Sequence, residues 1–531
     1  MSEETKDEVV PETESNDVGT ETEVTETAET PATDATAVAQ TPYKGFWAKV
    51  DNFFGISKSG SKFRVEVVAG LTTFMAMVYI LMVNAGMFEL AIINQHPTSA
   101  DPYGAAYIAT AIGAIVGTML MAFLAKMPLA QASGMGVNAF IVYTLVLGGT
   151  GLTYANCMVF TLLDGVIFLV LTATGLRQKI FEAIPEGVRH AIPVGIGLFI
   201  AFIGMQNAGI IVNNDSTLVT FVSFNVLANG WTWGAVIAPL VALIGVLAIA
   251  ILSKLNVKGS ILWGILGSAA LYYIFAGLGC IWNDAACVAV FKGIGESFSF
   301  NPFNAFASWG KDSVGVVFYE GFNFDAYFGI PGNNAGTLVV LLLTTALSLC
   351  MIDMFDTIGT LYGACAKGNL VDGKGVPLNM NRMLLSDAIA TCTGAIAGTS
   401  TVTTFVESSS GVAAGGKTGF TALVTGLCFV VAMFLSPIAK LIPSAATATA
   451  LIWVGVLMMS SVTKVKWEDA GEAIVAFLTF ITMVLGYSIS HGIGIGIIAY
   501  ILVKLCTGKV KEISIATWVI GVLFLATFIL T

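Results

Sequence analysis

The sequence predicts an all-α polytopic membrane protein of about 14 transmembrane spans, arranged as a 7+7 inverted repeat with two broken helices. Three observations carry that expectation. The 531 residues are 56% hydrophobic and 11% charged, with a mean hydropathy of +0.84, whereas soluble domains carry about 25% charged residues. Apolar runs of bilayer-crossing length, about 17–25 residues, recur along the chain. The 57 glycines suit close helix packing and interrupted helices better than plain apolar staves. Soluble enzymes are excluded by this composition.

The net charge of −10 belongs to one end. Residues 1–40 hold twelve Asp/Glu and one Lys, a balance of −11, which leaves +1 for the remainder. Residues 1–41 thus form an acidic Glu/Thr/Ala/Val tail without an aromatic residue, too polar to bury a core and expected to be disordered. It lacks the basic start and apolar centre of a signal peptide. Residues 42–63 form a basic segment ahead of the membrane.

The first repeat, 64–280, contains apolar runs near 64–90, 104–125, 133–148, 153–176, 188–210, 234–254 and 259–280. A loop at 281–335, rich in Phe, Gly and Asn, separates it from the second repeat, 336–531. Runs there lie near 337–363, 382–398, 403–416, 419–438, 443–461 and 471–489, followed by 491–506 and 513–531. The last three are short or broken, so the total is fourteen or fifteen. Lys44, Lys49, Lys58, Lys62 and Arg64 precede the first span and put the amino terminus in the cytoplasm. Arg177, Lys179 and Arg189 follow the fourth span, Lys254 and Lys258 the sixth, and Lys367, Lys374 and Arg382 the eighth. Lys417 follows the tenth, and Lys464 and Lys466 the twelfth. All are even crossings, so the 281–335 loop is expected outside. Repeats of seven spans have opposite orientations, a transporter signature. Their best local match pairs Ile184-Pro185 with Ile442-Pro443.

Two segments fail as ordinary spans, third in each half: QASGMGVNAF at 131–140 and GTSTVTTFVESSSGVAAGGKTG from Gly398. Thr and Val crowd 399–406 and favour extended chain, after which Glu407 opens a short Ser/Gly/Ala helix. Extended chain at membrane depth is tolerable only where protein buries it or water reaches it, so these breaks are expected to line a midplane cavity. The alternative makes both external loops.

Ionisable residues inside apolar runs are expensive and usually functional: Glu66, Asp164, Asp353, Asp356 and Glu407. Asp353 and Asp356 lie three apart in LSLCMIDMFDTIGTLYG, hence on one helical face. Two acids there repel if both ionise, so at least one is protonated or hydrogen-bonded; the blander reading is a polar helix contact. Glu66 reads as a capping or interfacial charge, and Asp164 as structural or functional alike. The eight cysteines show no metal-ligand spacing, and Cys280 with Cys287 leaves a local disulfide open. His96, His190 and His491 share no motif, though His491 at a break between short spans admits a proton relay. With no P-loop or HExxH, the driving force is expected to be an ion gradient, with no metal.

Several of these stretches together, AGLTTFMAMVYILMVNAGMF (69–88), GMGVNAF (134–140), GIGLFIAFIGMQNAGI (195–210), DMFDTIGTLYG (353–363) and VESSSGVAAGGKTG (406–419), resemble the AzgA-like hypoxanthine/adenine/guanine permeases. These belong to the wider nucleobase:cation symporters, related to the nucleobase-ascorbate transporters. The similarity runs from about Phe63 to about Tyr500. It implies spans 1–4 and 8–11 as a moving core, spans 5–7 and 12–14 as gate and dimer scaffold, elevator-like transport and a homodimer. Related uracil and xanthine carriers place a carboxylate on span 8 and a Glu or Gln at the start of the span-10 half-helix. The matching positions here are Asp356 and Glu407, with Phe405 as the aromatic beside the base and Asn138 as the polar residue of span 3. Ala85 replaces a common Pro, Asp164 a common Glu, and SSS the usual Ser-Ala-Ala.

The chemistry fits these positions. A purine presents ring N–H and exocyclic amine donors that a carboxylate accepts, and a flat face for an aromatic ring. Backbone N–H groups around Gly134, Gly136 and Ser408 can meet its carbonyl or ring nitrogens. Burial favours a neutral acid and a helix start an anion, so Asp356 is expected to carry the coupled proton, with Asp353 and Glu407 as further candidates, and Glu407 to stand as acceptor. The expectation is a purine:proton symporter of the cell membrane, not an enzyme. Its partners are the base, the bilayer and a second copy, with no nucleic acid and no cofactor beyond the proton. An anion, sulfate, uracil or xanthine carrier, or a non-transporting sensor, are the alternatives.

Overall fold

The computed structural model describes residues 43–175, 177, 184–225, 232–297 and 301–530; the acidic tail and Lys179 lie outside them. Among the described residues nine helices are long and apolar enough to cross a membrane. These are spans 1 (Phe63–Gln95), 2 (Pro102–Ala125), 4 (Tyr154–Ala173), 5 (Glu186–Asn207), 6 (Gly234–Lys254), 7 (Ser260–Ile281), 8 (Ala335–Lys367), 12 (Ser444–Lys464) and 14 (Ile489–Cys506). The other expected spans are shorter or more polar. Span 3 continues as Met135–Val146, span 11 is Gly419–Met433 and span 13 is Ala470–Leu485. Span 9 is Met380–Ala397, and a last helix covers Ile515–Leu530. The chain is thus a multi-pass, predominantly helical membrane protein.

Local chemistry sets many of these ends. Asp101 accepts from the amide of Gly104, with Pro102 in the first turn of span 2, a position that suits proline's missing donor. Span 4 starts with a Thr153/Asn156 capping box and span 8 with an Asn334/Thr337 box, each satisfying amides that a helix start leaves open. Pro185 and Pro443, the pair matched by sequence, both stand immediately before their helices, Glu186–Asn207 and Ser444–Met458. Those two helices pack on each other, and each also packs on the helix that follows its partner.

Four short strands interrupt the helices: β1 (Gln131–Ser133), β2 (Ile211–Asn214), β3 (Leu218–Phe221) and β4 (Val402–Thr404). β2 and β3 form a hairpin after span 5, which no sequence signal announced. β1 and β4 pair antiparallel, Gln131 opposite Thr404, Ala132 opposite Thr403 and Ser133 opposite Val402. Every residue of both strands is buried. The two broken segments are therefore one structure, not external loops, and their ladder bonds answer the polar backbone that apolar surroundings leave without water.

Three details differ from the sequence reading. The 281–335 segment holds helices Ala285–Ser297, Pro302–Asp312, Val316–Tyr319 and Asp325–Phe328. It is tied down by Trp309 donating to the carbonyl of Ala397 (2.8 Å) and Asn156 donating to the carbonyls of Gly321 and Asn323 (2.8 Å each). Cys280 and Cys287 are free thiols. Arg177, read as a loop charge, is 1% exposed and paired with Asp387 (2.8 Å).

Candidate functional site

The strand pair delivers two half-helices, Met135–Ala139 and Ser408–Ala413. The amide of Gly134 donates to the carbonyl of Thr401 (2.9 Å) and that of Phe405 to the carbonyl of Ala130 (3.1 Å), so each half-helix begins where the other segment holds it. Glu407 stands immediately before the second. Its side chain makes no cap bond to the helix; instead it accepts a 2.6 Å hydrogen bond from the hydroxyl of Tyr79. Tyr79 lies just past Val78, the single non-helical residue in span 1. Sequence reasoning missed Tyr79, although a buried tyrosine hydroxyl generally requires a polar partner.

Span 8 brings the other acid. Asp353 is fully buried, while Asp356 is half-buried. Three residues along a helix is about 60° of rotation short of a full turn, so the two aspartates occupy neighbouring faces with different surroundings. Gly136 sits where the first half-helix meets spans 5 and 8. A Cβ there would lie 2.7 Å from Cγ2 of Ile196 and 3.9 Å from Oδ2 of Asp356. A Cβ at Gly134 would lie 3.1 Å from Oγ1 of Thr403. Phe405 is 7% and Glu407 8% exposed.

Two of the expected ligands are engaged elsewhere. Asn138 is fully buried; its Oδ1 accepts from the hydroxyls of Ser133 (2.9 Å) and Ser400, and its amide donates to the carbonyl of Ser133 (3.4 Å). Ser408 receives the amide of Ala130 (3.0 Å), donates to the carbonyl of Ala130 (3.3 Å), and sends its own N–H to Phe405 (3.1 Å). Both side chains bind protein. Asp356, Glu407, Phe405, Gly134 and Gly136 remain gathered around the breaks.

The remaining acids separate by role. Glu66 is fully buried and accepts from the amides of Lys417 (3.1 Å) and Thr418 (3.3 Å) and the hydroxyls of Thr418 (2.9 Å) and Thr421 (2.6 Å). It caps span 11 from more than three hundred residues away, bearing out the capping reading. Asp164 accepts from the thiol of Cys350 (2.8 Å). Asp387, absent from the sequence list, accepts from Arg177, from Thr357 (2.8 Å) and from Gln131 (3.3 Å). Its signal was available as the one acid inside the 382–398 apolar run. His491 rests edge-on against Phe528 (5.5 Å). Among the described residues no cluster of His, Cys, Asp and Glu could hold a metal. Cavities of about 610 and 640 Å³ lie elsewhere, one beside Asp101, Tyr273 and Lys440 and one under the helix Phe46–Phe54.

Comparison with known proteins agrees with this architecture. The Permease family model matches residues 64–495. The guanine/hypoxanthine permease PbuO of Bacillus subtilis is 36% identical over 474 residues, covering 89% of this chain and 98% of that protein. The adenine permease AdeQ of Escherichia coli is 33% identical over 481 residues, covering 91% and 96%. Among solved structures, the transmembrane domain of the cyanobacterial bicarbonate transporter BicA superposes with a TM-score of 0.52 at 15% identity, covering 82% of this chain and 97% of that one; at that identity the likeness is one of fold alone. Nothing in these matches singles out the AzgA-like branch. The chain belongs to the Permease family of nucleobase:cation symporters, as a membrane transporter related to guanine, hypoxanthine and adenine carriers and not an enzyme.

Proposed function

We propose that this permease is a proton-coupled, secondary active carrier of purine bases, adenine, guanine or hypoxanthine. One observation carries the reading: the pairing of β1 with β4 sets the two breaks side by side, with Glu407 and Phe405 directly after β4 and Asp356 of span 8 beside Gly136 of the first half-helix. A purine edge offers several N–H donors and needs acceptors, whereas an anion would be repelled by the two acids. Glu407 is held by Tyr79 and stands as the acceptor. Phe405 supplies a face for the ring, and the amides near Gly134 and Gly136 meet its acceptors. Ser408 and Asn138 act here by holding the breaks in register. The named activities of PbuO and AdeQ point to the same substrate class.

Movement follows an elevator in this reading, within a 7+7 inverted repeat. Spans 1–4 and 8–11 form a carrier core cross-linked by the β1–β4 pair, and spans 5–7 and 12–14 a scaffold whose helices pack in matching pairs. A scaffold dimer and a cytoplasmic amino terminus, with 281–335 outside, complete it. One charge crossing 100 mV supplies about 2.3 kcal/mol, enough for roughly fifty-fold accumulation per proton.

The test is uptake of labelled hypoxanthine, adenine, guanine, xanthine and uracil in cells lacking their own carriers, with and without a protonophore, for the wild type and Glu407→Ala. Purine accumulation beyond binding stoichiometry, lost with the protonophore and in the variant, is expected. Uptake of uracil or xanthine alone, or binding without accumulation, would overturn the reading.

A further inference from the structure

Thr357 has one hydroxyl hydrogen and two acidic neighbours. Its Oγ1 lies 2.8 Å from Oδ1 of Asp387 and 3.2 Å from Oδ1 of Asp353, and all three residues are fully buried. The acids are provided for very differently. Asp387 has Arg177 on Oδ2 at 2.8 Å, with Gln131 and Thr357 on Oδ1. Asp353 has no ion pair among the described residues, and its buried Oδ2 has no hydrogen-bonding partner. An ionised carboxylate left so poorly matched in a dry interior is strongly disfavoured, whereas the same group with a proton becomes a donor.

A hydroxyl donates once. The shorter contact, to the anion that Arg177 fixes, takes that hydrogen, because charge-assisted bonds are the stronger ones. The 3.2 Å contact then sets two acceptor oxygens against each other unless Asp353 carries the hydrogen and donates it to Thr357. We propose that Asp353, rather than Asp356, holds the coupled proton at rest, in a directed chain from the Asp353 hydroxyl through Thr357 to the Asp387 carboxylate, anchored by Arg177. The inference rests on the proton-coupled reading above. Thr357, Asp387 and Arg177 are positioning residues that set when the proton leaves, and in this assignment none of them touches the base. On release the Asp353 O–H bond breaks, its electron pair stays as carboxylate, and the proton bonds to a lone pair of water that reaches the site as the carrier opens.

Among the described residues the charged groups around Asp353 are few. Asp164 and Arg177 face it from span 4 and the residues after it, Asp387 from span 9, and Asp356 from its own helix. The thiol of Cys350 is taken by Asp164, and Glu407 acts on Asp356. The half-helix of span 3, β4 and the last helix carry no titratable residue. Elsewhere on the packed helices, Glu186 is paired with Lys466, Arg189 donates to the carbonyl of Ile184, Lys504 is paired with Glu512, and His491 faces Phe528.

The decisive experiment is infrared titration of the purified full-length protein in lipid vesicles, following the carbonyl stretch of protonated carboxylic acids in the wild type, Asp353→Asn, Asp356→Asn, Thr357→Val and Thr357→Ser. A titrating band lost in Asp353→Asn and kept in Asp356→Asn is expected. Its midpoint, and that of base uptake, should move by about one pH unit, tenfold in proton affinity, in Thr357→Val and return in Thr357→Ser. A band lost in Asp356→Asn alone, or Thr357→Val profiles that overlie the wild type, would overturn the proposal. Asp353→Asn should still exchange labelled for unlabelled base without accumulating it; proton-driven accumulation in that variant would also overturn it. If the wild type takes up no purine, the functional reading falls while the infrared titration still decides where the proton sits.

Discussion

The two broken segments are built alike and equipped differently. Each places a three-residue strand before a short helix, and they pair through Gln131–Thr404 and Ser133–Val402. In the first, polar side chains close on the protein: Gln131 on Asp387 and Thr404, Ser133 on Asn138 and Ser400, and Asn138 back on Ser133. In the second, Glu407 is held by a single side chain, Tyr79. The difference teaches that a polar residue at an interrupted helix is a ligand only when its hydrogen-bonding capacity remains unspent. In the proposed reading the side chains of the first break serve as framework, leaving its backbone amides for the base, and the second break supplies the acidic side chain.

Four substitutions sharpen or break that contrast. The largest effect belongs to Glu407→Gln, which keeps the shape and removes the charge. Base affinity should fall roughly ten- to hundredfold, the loss of a charge-assisted hydrogen bond of about 1.5–3 kcal/mol, with thermal stability near wild type; equilibrium binding and a melting curve on the same sample check both. Asn138→Ala should do the reverse, lowering stability by about 1–3 kcal/mol, as expected when buried partners lose their bond, while folded protein binds the base normally. Unchanged stability with lost affinity would return Asn138 to the ligand set.

Gly136→Ala comes next. Its Cβ would meet Ile196 at 2.7 Å across the boundary with span 5, so transport rate should fall several-fold more than affinity, an overpacking cost of about 1–3 kcal/mol. Ile196→Val should restore part of the rate in the double variant, and an additive loss would place the glycine's role elsewhere. Tyr79→Phe is the smallest, since it removes only the 2.6 Å bond to Glu407. An affinity change of about fivefold, near 1 kcal/mol, is expected by titration with labelled base, and no change would show that Glu407 needs no orienting partner.

Much of the architecture was legible because it depends on local composition. The Gly-Met-Gly and Thr-Val-Thr-Thr stretches marked both breaks, and Pro185 and Pro443 marked matching helix starts. Glu66 was readable as a cap, though its partner helix was not. What escaped notice depends on contacts between distant segments. Arg177 looks like a cytoplasmic charge in sequence because nothing local betrays Asp387, two hundred residues on. The faces of Asp353 and Asp356 diverge because spacing fixes their angle and only the neighbouring spans decide what each angle meets. Asn138 resembles a ligand until Ser133 and Ser400 are found on it.

The central claim is that the base is held at the second break, between Glu407 and span 8. A structure of the permease with guanine or hypoxanthine bound, determined in lipid by electron cryomicroscopy, tests it most directly. The account predicts the base within hydrogen-bond distance of Glu407 and Asp356, with Asn138 still bound to Ser133 and Ser400. A base resting on Asn138, with Glu407 remote from it, would contradict the account.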